Sequence, residues 1–130
     1  MQRILTKLRL VLAELARPDA MRDNWFVWAA GQGAHIAIGL VLAGGLLFVL
    51  PPSAAFFGTT LGYALLKELP DYLRSPGWAG ARDCTQDALF VTAGAALAVG
   101  LRGGHDGVFF VVIGAAILGL SLGVYGRIRQ

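Results

Sequence analysis

Apolar residues fall in long runs separated by short polar stretches, and the run lengths predict helices that cross a membrane. From Trp25 to Leu66 there is no Lys, Arg, Asp or Glu, and further apolar runs cover Ala88 to Leu101 and Val108 to Gly126. A spanning helix takes about 20 residues, so the first run holds two helices. The Pro51-Pro52 pair supplies the break between them, because proline cannot continue the hydrogen-bond ladder and restricts the residue before it. The second and third helices reach bilayer length only by drawing in polar flanks, which puts the spans at about 25–50, 52–70, 83–101 and 107–126. Residues 1–18 follow another pattern: Ile4, Leu8, Val11, Leu12 and Leu15 share one helical face, with Arg3, Lys7 and Glu14 on another. That stretch is too charged to span and is predicted to lie on the membrane surface, with a packed partner helix as the other reading. The expected fold is all-α: a four-helix transmembrane bundle over residues 24–130 behind an N-terminal interfacial amphipathic helix.

Composition excludes an ordinary soluble domain. Of 130 residues 56% are hydrophobic and 15% charged, and the mean hydropathy is +0.64. The formal charge of +3 reads as membrane topology rather than nucleic-acid binding, because of where the cations stand. Of the eleven basic residues only Arg102 falls outside the N-terminal segment, the loop after the second helix and the C-terminal end. That is the positive-inside pattern of a bacterial inner membrane protein with both termini cytoplasmic. The N-terminus lacks the compact apolar core of a cleavable signal peptide, so the first span is expected to be an uncleaved anchor. The single Cys84 excludes an internal disulfide and reads most simply as a small apolar filler.

Several residues have a predicted packing role. The pairs Gly58/Gly62 and Gly119/Gly123, with Gly39, Gly44 and Gly45, are expected at close helix contacts. Trp25, Phe26 and Trp28 are expected to anchor the first helix at the interface. Asp83 is expected in the first turn of the third helix, where the macrodipole favours an acid.

The chemistry collects at one depth. Counting about 1.5 Å per residue from the far ends of the helices puts His35 about 22 Å, Glu68 about 24 Å and Asp87 about 21 Å into the bilayer. Gln32 lies one turn from His35, Asp71 and Asp83 lie about a turn nearer the cytoplasm, and Lys67 is expected to point away. Ionisable groups at such depth are costly and usually mark function. Three uses are open: ligation of a divalent cation by His35, Glu68 and Asp87; proton transfer at His35; or an ionic network that fixes helix register. No Gly-rich phosphate loop, H-E-x-x-H or G-x-S-x-G occurs, which argues against a familiar soluble-enzyme mechanism and leaves the question of catalysis open.

Histidine and glycine in the first span (His35, Gly39), an aromatic and K-E-x-x-D at the end of the second (Tyr63, Glu68, Asp71), and D-x-x-x-D before a glycine in the third (Asp83, Asp87, Gly94) resemble the VanZ-like family and related small phage-encoded membrane proteins. The similarity covers roughly residues 31–100, and Cys84 and Gln86-Asp87-Ala88 depart from the pattern. The resemblance implies a compact polytopic envelope protein, in some relatives linked to glycopeptide resistance, and brings no settled chemistry. The functional expectation is a polar site made by His35, Glu68, Asp87, Gln32, Asp71 and Asp83 that binds a polar or phosphorylated envelope molecule. Membrane lipids and further copies or other subunits are the expected partners. The competing expectation is a structural subunit of a larger membrane assembly or phage particle, or a holin-like pore former.

Overall fold

The computed structural model describes residue 6 and residues 24–129, and all regular structure among them is helical. The predicted amphipathic helix of residues 1–18 lies outside the described residues except for Thr6. The order is α1 (Trp25–Leu46), α2 (Pro52–Tyr63), a π-helical turn (Ala64–Glu68), α3 (Leu69–Arg74), α4 (Trp78–Gly103) and α5 (Asp106–Ile128). Three stretches, in α1, α4 and α5, are long and apolar enough to cross a membrane.

Local chemistry sets the ends. The Asn24 side chain caps α1, accepting from the backbone N–H groups of Phe26 and Val27 at 3.0 and 3.2 Å. The helix stops at Leu46, short of the expected residue 50, because the approach to Pro51 excludes helical geometry at Leu50. Tight turns close over Gly45 and Leu46 instead.

Pro70, expected to end or bend the second helix, does not end it: helical structure continues past the predicted 52–70 to Arg74. Pro70 has no N–H to return to the preceding turn, and the ladder widens just before it, with Leu69 N–H bonding the Ala64 carbonyl five residues back. The next helix starts at Trp78, five residues earlier than expected. Gly77 makes this possible with φ +123°, and a Cβ on Gly80 would collide with the Ser75 carbonyl. Asp83 therefore sits beyond the first turn, where the dipole's pull has faded.

The tightest packing is between α1 and α4, which run parallel. A Cβ on Gly39 would strike the Val91 carbonyl, and one on Gly94 would strike the Ile36 carbonyl, so each helix lends a glycine to the other's backbone. Ala43, Ala95 and Ala98 continue this seam, covered by Leu47 and Phe56. The other glycines divide. Gly58 meets Leu46 at 3.6 Å, whereas a Cβ at Gly44, Gly45 or Gly62 would meet nothing within 4 Å, so no helix packs on the backbone there.

Helix α5 docks through side chains rather than backbone. Gly119 faces the Phe90 ring at 3.6 Å and Gly123 receives the Trp28 ring. Trp28 is thus not the interfacial anchor its position implied. It is 8% exposed, edge-on to Phe90, with the Arg127 guanidinium 4.0 Å from its ring centroid.

Candidate functional site

The α1–α4 seam leads directly to a polar cluster. One turn below the Gly39–Val91 contact, Gln32 and His35 of α1 come opposite Asp87 of α4, since both helices advance together. The Gln32 amide donates to Asp87 Oδ1 at 2.8 Å, and His35 Nδ1 lies 3.5 Å from the same oxygen. The third wall is the π-turn, which delivers Glu68. One ligand-capable atom from each of His35, Glu68 and Asp87 falls within 4.8 Å of the others.

The π-turn also brings in Tyr63. Residues five apart on an α-helix point about 140° away from each other, whereas a turn with i→i+5 bonds stacks them. Tyr63 and Glu68 are such a pair, and the widened turn puts them on one face. Cys84 of α4 lies beside Glu68 as well. The Tyr63 ring stands edge-on to His35, with centroids 6.0 Å apart.

The remaining predicted residues separate from this centre. Asp71, 9% exposed, is bound by Lys67 and by Arg74 at 2.9 Å. Asp83 is half-buried and stands outside the His35, Glu68 and Asp87 group. Lys67, expected to point away, instead reaches back: its Nζ is 3.6 Å from Glu68 Oε1 and also pairs with Asp71. Its pairing with Asp71, four residues on, is the ordinary spacing of a helical ion pair.

Tyr63, Cys84 and Lys67 are the members that reasoning from a regular helix passes over. The aromatic at position 63 carried a signal only through the family resemblance. Cys84 had none, because a small residue one turn from Asp87 looks like filler until Glu68 is placed beside it.

Chemically, the centre combines one imidazole, two carboxylates and a cation at its edge. Glu68 is 5% exposed and Gln32 3% exposed. Glu68 Oε1, Gln32 Oε1 and His35 Nδ1 are buried with no hydrogen-bond partner. Buried acceptors left open in this way are costly, and such vacancies concentrate where a ligand, ion or proton completes the set. The fold and the site define a helical protein with three stretches long and apolar enough to cross a membrane and a His/Glu/Asp cluster in which Glu68 is buried and His35 and Asp87 are half-buried. Compared with known proteins, the chain matches no family model, no curated protein and no solved structure.

Proposed function

We propose that the chain is a four-span protein of the bacterial inner membrane, with both termini cytoplasmic, whose His35, Glu68 and Asp87 centre binds a polar or phosphorylated envelope molecule from the inner leaflet. Helical residues from Pro52 to Arg74 make the fourth crossing, interrupted rather than ended by the π-turn. The observation that carries the reading is the meeting of these three side chains, from three separate helical stretches, around open buried acceptors. Lys67 and Arg74, with side chains 41% and 71% exposed, supply cations at the rim where an anionic headgroup would arrive. The VanZ-like resemblance fits this picture: its His35, Tyr63, Glu68 and Asp87 are residues of the centre, and its Gly39 and Gly94 are the close contacts beside it.

The test is lipid retention. The unaltered chain, purified from membranes, should carry a phosphorylated headgroup in native mass spectrometry, and His35→Ala and Glu68→Gln should lose it while still inserting and remaining monodisperse. Variants that keep the same cargo would end the proposal. Variants that fail to accumulate would favour a purely structural network instead, since unpairing a buried charge costs about 3–5 kcal/mol.

A second reading, an assembly subunit, rests on α5. Phe110, Val111, Ile117, Leu118 and Leu122 are all exposed along it, a surface suited to another helix as well as to lipid. Cross-linking through α5 in native membranes would reveal such a neighbour.

A further inference from the structure

We infer that His35, Glu68 and Asp87 form a binding site for one divalent first-row transition ion, zinc or manganese, with a coordination position left for an oxygen of the bound molecule. The inference rests on the reading of this centre as a ligand site and names the ion it uses.

Three observations carry it. The donor set is one imidazole nitrogen and two carboxylates, all within 4.8 Å of one another. A tetrahedral ion with bonds of about 2.1 Å needs its ligand atoms about 3.4 Å apart, so modest side-chain rotation closes the set. An imidazole among oxygens favours zinc or manganese over magnesium or calcium, which take oxygen ligands.

The second observation is orphaned donor capacity. Glu68 Oε1 is buried on a side chain only 6% exposed, with no hydrogen-bond partner, and His35 Nδ1 is equally bare. His35 Nδ1 and Asp87 Oδ1 stand 3.5 Å apart with no hydrogen bond between them, close to the separation that two ligand atoms of one tetrahedral ion need.

The third is the support behind the ligands. Gln32 fixes Asp87 with a hydrogen bond of 2.8 Å, and Tyr63 and Cys84 stand beside Glu68. Hydrogen bonds of this kind orient ligating carboxylates and are part of what makes a metal site. Charge points the same way. Glu68, Asp71 and Asp87 face Lys67 and Arg74, one acid more than cations. Lys67 stands 3.6 Å from Glu68 Oε1, beyond hydrogen-bond length, and is already bound to Asp71, which holds it when an ion enters.

The test uses the full chain without a histidine tag, stripped with chelator and placed in phosphatidylcholine nanodiscs. Titration with Zn²⁺ and with Mn²⁺ should give one equivalent bound per chain. His35→Gln, Glu68→Gln and Asp87→Asn should each weaken binding at least about a hundredfold, while His105→Gln leaves it unchanged. Electron spin-echo spectra of Mn²⁺ on the unaltered chain should show coupling to an imidazole nitrogen, a readout independent of how any variant folds. Less than a tenth of an equivalent bound, or bound Mn²⁺ without nitrogen coupling, overturns the metal site.

Lys67→Gln separates this proposal from the one beneath it. It should tighten metal binding, by removing a competing cation, and weaken retention of a phosphorylated headgroup. Headgroup retained by metal-free protein refutes the ion and leaves the ligand site standing. Metal bound by a chain that retains no headgroup does the reverse.

Discussion

Gly94 shows how much a single residue decides. Its missing Cβ lets the Ile36 carbonyl sit where a methyl group would be, and the same approach holds Gln32 and His35 against Asp87, about two turns back along α4. Gly94→Ala must push the two helices apart or bend one, and overpacking of this kind costs about 1–3 kcal/mol. The expected result is a lowered midpoint in detergent-denaturant unfolding together with loss of ligand at the polar centre. Gly44→Ala, where a Cβ meets nothing within 4 Å, should leave both unchanged. Equal behaviour of the two variants would mean that the α1–α4 seam is looser than its geometry requires. At this scale the sequence is ambiguous, because eighteen glycines offer many equivalent small-residue spacings. Gly39 and Gly94 are told apart from Gly44, Gly45 and Gly62 only by what lies across from them.

The elements differ in how they hold on. Helix α5 carries no buried residue in its apolar window, so its attachment depends on a few points, chiefly Trp28 seated on Gly123 and Phe90 against Gly119. Gly123→Leu should expel the Trp28 ring and break the Arg127 contact above it, whereas Gly119→Leu displaces only the tip of Phe90. Tryptophan fluorescence and proteolysis of the chain in nanodiscs should therefore report detachment of α5 for the first variant and little change for the second. Detachment by both in equal measure would show that Trp28 is not the principal contact. The inward turn of Trp28 was hidden in the sequence. An aromatic near the start of an apolar helix has the same pattern whether it meets headgroups or a neighbouring glycine.

For the whole molecule, depth was the most legible property. A constant rise per residue, counted from the Pro51-Pro52 turn for His35 and Glu68 and from the far end of α4 for Asp87, is enough to bring the three to one level. Direction was less legible: Lys67 turns toward Glu68 and Asp71 rather than away, and no local motif announces the π-turn beside it apart from Pro70 downstream. The orientation proposed from the distribution of charge is open to a direct test. In a Cys84→Ser background, Ser75→Cys should react with impermeant thiol reagents only from the cytoplasmic side and Ser53→Cys only from outside. Labelling of both from one side would reverse or dismantle the topology.

The π-turn means that the second helical stretch contains one residue more than a regular helix needs to make the same connection. Tyr63 and Glu68 are five apart, yet they share a face as residues four apart ordinarily do. Taking out Leu66, which is 84% exposed and outside the polar centre, would make them four apart and leave them on one face. With Pro70→Ala to restore the missing N–H, that shortened chain should fold as a continuous α-helix and keep its polar centre. The same deletion made at Leu61, also exposed, removes a residue from regular helix and swings everything below it by about 100°. Circular dichroism and thermal unfolding of the two shortened chains should therefore diverge sharply: the surplus residue is the only place along this helix where its length is free to change.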